Sequence, residues 1–384
     1  MKDGPRPLSA PSGRTKTKGP MDMDLIDALK HKALKGKGIR ESEALELFVE
    51  GSSSPSRVFA AASELRERFK GKEIIFCGIT NAKSGRCSED CKFCAQSSHN
   101  NASAPIYPLK PAKQIIAEAE QAGKNGAEFF GIVTSGKSVR SKKEWSEIFK
   151  AVEHVAAIGI HPCASLGLLD ADRARDLKAA GLFRYHHNLE TARSYYRNIC
   201  KTHDYGENVQ TIRVARDAGL SVCSGALFGM GENITHRIEL AADLRRLNVD
   251  SVPINLLHPI KGTPLAHMPL LPPMEILMTV AVYRFLLPDR DIKLCGGKEK
   301  SLRQLLPLGM IAGANSLMTG NYLTTTGRDS RLDHEMIIDL GLFPTRELDI
   351  CRCGAEENNR RPSGKTAKKK PTRKCPLHSA DICS

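Results

Sequence analysis

The thiols are the residues best placed to do chemistry in this chain. Cys87-Ser-Glu-Asp-Cys91-Lys-Phe-Cys94 puts three of them within eight residues. Thiolates are the standard ligands of iron–sulfur clusters, and three from so short a segment leave one cluster iron without a cysteine. An iron of that kind can chelate a small molecule. A zinc ion on three thiolates is the competing occupant, but zinc sites favour paired Cys-x2-Cys spacings with a fourth Cys or His close by. The segment follows the first predicted strand, Glu73–Thr80, where a parallel sheet presents its functional loops.

The elements that must hold this segment alternate in type. Short apolar runs at Glu73–Thr80, Glu128–Ser135, Ile158–Leu166, Phe183–Asn188, Leu220–Leu227, Ser251–Leu257, Asp291–Cys295 and Asn315–Thr319 read as strands. Helical patterns lie between them, among them Ala112–Gln121, Lys143–Ala157, Asp170–Ala180, Val209–Ala218, His236–Leu247 and Met274–Leu287. Ala122-Gly123, Ala180-Gly181 and Ala218-Gly219 read as helix stops. Eight strands with helical crossovers predict an α/β fold, a (β/α)8 TIM-type barrel, with an open doubly wound sheet as the competitor. Residues 1–20 read as a flexible basic arm, 21–70 as an N-terminal helical cap across the barrel bottom, 71–350 as the barrel, and 351–384 as a Cys-containing basic tail.

Composition narrows the function classes. Of 384 residues, 41% are apolar and 26% charged, enough for a sizeable core, and no run of about 18 apolar residues is present to make a membrane span. The net charge of +14 invites a nucleic-acid reading. Residues 1–20 carry +4 of it and residues 359–376 carry +8, so the body is nearly neutral and no nucleic-acid partner is expected. Twelve cysteines are too few for a disulfide scaffold. The first 20 residues lack the apolar core of a secretion signal, so a cytoplasmic location is expected.

With Phe93 before the last cysteine, the Cys87–Cys94 segment resembles the signature of the radical S-adenosylmethionine superfamily. The longer block Asn81–Ser98 looks like the biotin synthase family, as do Tyr185-His-His-Asn-Leu-Glu-Thr191, Ser251-Val-Pro-Ile-Asn255, Lys261-Gly-Thr-Pro-Leu265 and Ala312-Gly-Ala-Asn-Ser316. The resemblance spans roughly residues 30–345. It implies that Cys87, Cys91 and Cys94 bind a [4Fe–4S] cluster whose open iron holds S-adenosylmethionine. Reductive cleavage to a 5′-deoxyadenosyl radical would then drive sulfur insertion into dethiobiotin. It further implies a homodimer and a small reducing protein of flavodoxin or ferredoxin type. Asn188 and Asn255 are expected at the dethiobiotin ureido ring, and Glu190 at the cofactor's ribose hydroxyls. Gly225, Gly229 and Gly231 are expected beside its adenine. Another small-molecule radical enzyme, of methylornithine synthase or hydrogenase-maturase type, is the alternative; an RNA-modifying enzyme or a non-catalytic iron–sulfur carrier fits less well.

The resemblance also exposes a departure. Cys163 and Cys223 match positions that hold the family's sulfur-donating auxiliary cluster, a [2Fe–2S] with three cysteines and one arginine from strands two, three, five and seven. Here the strand-two position is Gly131 and the strand-seven arginine is Lys293. Cys295, two residues on, faces the same side of its strand. The expectation is a different, larger auxiliary cluster on Cys163, Cys223 and Cys295, aided by Cys351 or Cys353, unless those two are merely tail thiols. Cys77 and Cys200 match no such position and read as structural.

Overall fold

The computed structural model describes residues 24–348, and the basic arm and the tail with Cys351 and Cys353 lie outside them. Strands β1 (Glu73–Lys83), β2 (Phe129–Thr134), β3 (His161–Ser165), β4 (Arg184–His186), β5 (Ser221–Cys223), β6 (Ala226–Phe228), β7 (Ser251–Leu256), β8 (Asp291–Leu294), β9 (Ser316–Met318) and β10 (Phe343–Pro344) all pair in parallel. β9 pairs with β1, Ile75 opposite Ser316, and so closes the sheet. With β5 and β6 sharing one position, the barrel has the eight strands expected.

Helices α1 (Leu25–Ala33), α2 (Glu41–Gly51) and α3 (Pro55–Lys70) precede the barrel. Lys70 Nζ lies 2.8 Å from Asp291 Oδ1 at the start of β8, so α3 ends at the N-terminal rim of the barrel, as the expected cap requires. The crossovers are α4 (Ala112–Lys124), α5 (Lys142–Ala157), α6 (Ala171–Ala179), α7 (Tyr205–Asp217), α8 (Ile234–Arg246) and α9 (Pro273–Leu286). Ser141, Asp170, Asp204 and Asn233 cap α5 to α8 by accepting from the backbone N–H three residues on. Short helices α10 (Lys298–Leu302) and α11 (Leu308–Ile311) lead into β9, and α12 (Ser330–Asp339) follows it.

Two local expectations are corrected. Helix α4 does not stop at Ala122-Gly123. It runs on to Lys124 and turns at Gly126, whose φ is 79°. A Cβ on Gly123 would lie 2.6 Å from Ile160 Cδ1, so this glycine permits close packing instead of ending the helix. The fifth strand is broken between Cys223 and Ala226. Pro253 of neighbouring β7 has no N–H to offer there, and a Cβ on Gly225 would meet Pro253 O at 2.0 Å. The gap bends the chain at the barrel mouth.

The pairing register also determines which side chains share a level inside the barrel. Cys77 stands opposite Phe129 and that residue opposite His161; two residues up is Cys163. The same two-strand step leads through Arg184 and Ser221 to Cys223, then through Ser251 and Asp291 to Lys293. A fourth step, through Ser316 and Ile75, returns to Cys77. Four advances of two residues make a shear of eight, the closure of a TIM-type barrel, whose interior is filled in layers of four side chains from alternate strands.

Candidate metal and substrate centre

The loop after β1 carries Cys87, Cys91 and Cys94, all half-buried. Its shape is determined by its own backbone groups. Cys87 N donates to Gln96 O at 3.0 Å, Ser98 N to Cys87 O at 2.8 Å, and Cys94 N to Cys91 O at 3.1 Å. Asn100 Nδ2 donates to the carbonyls of both Cys91 and Cys94. The segment 199–203 clamps the loop from outside. Lys92 N donates to Ile199 O, and Asp90 Oδ1 accepts from Lys201 N and Thr202 N, which holds its carboxyl well below the usual range despite partial burial.

Cys200, read as a structural thiol, is part of this clamp. Its Sγ lies 3.8 Å from Cys91 Sγ and 3.1 Å from His203 Nδ1, and Glu89 takes His203 Nδ1 at 2.8 Å. Among the described residues, Cys91, Cys200 and His203 are the one trio of Cys, His or acidic residues whose ligand atoms gather within 4.8 Å. Sulfurs on one zinc lie within about 4.6 Å of each other, given Zn–S of about 2.3 Å. Among the described residues, neither the three loop cysteines nor the barrel cysteines form such a trio.

Beneath the loop lie two cavities of about 250 and 340 Å³. The upper one is walled by Cys87, Cys91, Cys94 and Cys200; the lower one by Cys77, Cys163, Cys223, Cys295, Arg184 and Lys293. His186, Asn188, Glu190 and Phe93 line both, so the two cavities share a wall. The expected thiols Cys163, Cys223 and Cys295 are therefore brought together. So is Cys77, which its reading as structural had set aside. Cys77 and Ile79, two residues apart on β1, both line the cavity.

Charge in the lower cavity is unusual. Lys293 is 7% exposed, and its Nζ has the Cys77 sulfur, at 3.4 Å, as its hydrogen-bond partner. Burial opposes its charge, but the surrounding thiols outweigh that and push its pKa up. Burial raises Cys163 and Cys295 to about 12 each. At Cys223 burial works the same way, but Lys293 and the His186 ring, 3.3 Å away, bring the thiol down to about 6.

Asn188 Oδ1 accepts from Gly225 N at 3.1 Å and its Nδ2 donates to Glu190 Oε2 at 3.4 Å. Asn255 Nδ2 donates to Ala226 O and its Oδ1 accepts from Gly296 N, both at 3.1 Å. The bend between β5 and β6 thus anchors both carboxamides. Glu190 adopts φ of 65°, rare for a non-glycine residue, and burial raises its carboxyl to about 7. Gly225, Gly229 and Gly231 line neither cavity. Gly225 packs on Pro253, Gly229 on Leu257 and Leu271, and Gly231 on Tyr195. Glu232 gathers the amides of Gly229 and Met230 and pairs with buried Arg237 at 2.9 Å, so this segment shapes the mouth from behind.

Two family models match the chain: the radical SAM superfamily over residues 82–244, and the biotin and thiamin synthesis associated domain over residues 253–343. The biotin synthase of Geotalea uraniireducens is 48% identical over 318 residues, covering 83% of this chain and 97% of the relative. That of Syntrophotalea carbinolica is 49% identical over 310 residues, covering 80% and 95%. Among solved structures, methylornithine synthase superposes with a TM-score of 0.70 at 20% identity, covering 83% of this chain and 97% of that one. A maturase of the [FeFe]-hydrogenase gives 0.70 at 16%, covering 83% and 75%. At such identities these two share the fold alone. No described helix is long and apolar enough to cross a membrane.

Proposed function

The chain belongs to the biotin synthase family, and from that premise we propose that its barrel takes dethiobiotin and returns biotin, each sulfur–carbon bond following hydrogen abstraction by a 5′-deoxyadenosyl radical. It is a radical S-adenosylmethionine enzyme, with a [4Fe–4S] cluster and S-adenosylmethionine as cofactors. Cys87, Cys91 and Cys94 hold that cluster, and the chemistry it supplies when bound is one electron to the sulfonium. Glu190 receives the cofactor's ribose hydroxyls, and Asn188 and Asn255 the ureido ring of dethiobiotin. Cys163, Cys223 and Cys295 hold the auxiliary cluster that supplies sulfur. Cys351 and Cys353 lie outside the described residues.

The observation that carries this reading is the shared wall. Two thiol-lined cavities, one at the loop and one in the barrel, meet at Asn188 and Glu190. A substrate held by Asn188 and Asn255 would lie between the two thiol sets, and the apolar barrel walls around it would exclude water. A homodimer, a reducing protein of flavodoxin or ferredoxin type and a cytoplasmic setting complete the proposal. The test is anaerobic turnover of fully reconstituted, reduced protein with dethiobiotin. Biotin together with 5′-deoxyadenosine is expected; 5′-deoxyadenosine without biotin would favour the methylornithine synthase or maturase type of chemistry. Removing residues 355–384 is expected to leave turnover intact, and its loss would revive a role for the basic tail.

A further inference from the structure

Cys77, Cys163, Cys223 and Lys293 form one interior layer of the barrel, contributed by its first, third, fifth and seventh strands. Three of four members are thiols, and the fourth is an ammonium with no carboxylate among its partners. A buried cation is strongly disfavoured unless anions face it, and the groups facing this one are thiols. The side chain that Lys293 touches is Cys77, a buried residue that lines the same cavity as Cys163, Cys223 and Cys295. Cys295, two residues beyond Lys293, immediately follows β8.

On the adjacent second strand, Gly131 offers no side chain, and a Cβ there would already lie 3.1 Å from Ile79 Cγ2. The second strand therefore offers no ligand at that position. The neighbouring strand that does present a thiol to the same space is β1.

We propose that Cys77 is a ligand of the auxiliary cluster, so that Cys77, Cys163, Cys223 and Cys295 form a complete four-thiolate set inside the barrel and Lys293 is its buried counter-charge. This rests on the reading that the barrel holds an auxiliary iron–sulfur cluster at all. Each thiol gives up its proton on ligation, and the fixed ammonium offsets part of the negative charge thereby gathered in an apolar interior. The set needs no cysteine from beyond residue 348. The cluster is thereby tied to four strands of a closed barrel, a rigid support for a centre that must give up sulfur to a bound substrate.

The test compares iron and sulfide counts and Mössbauer spectra of anaerobically reconstituted wild type, Cys77→Ala, Cys77→Ser, Cys163→Ala and a chain ending at residue 350. Cys77→Ala is expected to lose the iron and sulfide beyond those of the loop cluster, as Cys163→Ala does, while the shortened chain keeps them. Cys77→Ser is expected to keep iron but to show one altered iron site, because a serine oxygen replaces a sulfur; this guards against a mere folding defect in the alanine variant. A wild-type auxiliary spectrum in Cys77→Ser, or loss of the auxiliary iron in the shortened chain with retention in Cys77→Ala, overturns the role of Cys77. If wild type holds iron for the loop cluster alone and Cys163→Ala matches it, the auxiliary reading itself fails.

Discussion

The loop thiols and the barrel thiols, proposed here to hold two separate clusters, are assembled in opposite ways. Cys87, Cys91 and Cys94 arise from eight consecutive residues, are half-buried, and take their geometry from backbone hydrogen bonds within one loop and its clamp at 199–203. Cys77, Cys163, Cys223 and Cys295 come from four strands separated by whole helices, and their geometry exists only because the sheet closes with a shear of eight. A local site tolerates movement and exposes an iron to a cofactor. A site distributed over a barrel layer is rigid, with Cys77, Cys223 and Cys295 buried and Cys163 partly so, and the charge it gathers must be balanced internally, the part proposed for Lys293.

The sharpest break in this comparison comes at the loop. Replacing Cys91 by Ala is expected to abolish 5′-deoxyadenosine formation and to lower the iron content, with the barrel cluster's Mössbauer signature remaining. Retained cleavage of S-adenosylmethionine would show that the loop is not the electron source. The converse experiment is Cys163→Ala, expected to stop biotin formation while 5′-deoxyadenosine is still released, as measured by chromatography of quenched reactions. Loss of both products together would mean that the two sites are not chemically separate.

Smaller effects probe the shared wall. Asn255→Ala removes a carboxamide from the cavity and leaves Gly296 N without its acceptor. Loss of one hydrogen bond to a buried polar group costs about 1–3 kcal/mol, so dethiobiotin affinity should fall by about five- to hundredfold. Unchanged affinity would make Asn255 a rim residue only. The smallest expected effect is at Glu190, whose buried carboxyl is raised to about 7 and is therefore neutral below that pH. Ribose hydroxyls donate best to the ionised form. Affinity for S-adenosylmethionine should then weaken as pH falls below 7, by up to about tenfold per unit, and level off above it. Glu190→Gln should flatten that profile in equilibrium binding; a slope that persists would assign the titration to another group.

Much of this was legible in the chain because it depends on neighbours in sequence. The Cys87–Cys94 spacing, the strand-forming apolar runs and the helix stops at Gly181 and Gly219 all reflect interactions within a few residues; the stops appear as read, and each run holds a strand, the third and fourth shorter than read. Cys295 was also within reach, since residues two apart on a strand share a face. The helix stop assigned to Gly123 and the unbroken fifth strand were misread because their causes, Ile160 and Pro253, sit on other elements.

The amino-acid sequence by itself determined the ligand loop, the alternation of strands and helices and the thiol-bearing faces of single strands. Only the tertiary structure decided that Cys77 belongs with Cys163 and Cys223, that Cys200 backs Cys91, and that Lys293 sits among thiols rather than carboxylates. The reason is geometric. Spacing along the chain governs which side chains share a face, whereas the shear of a closed barrel governs which faces share a level.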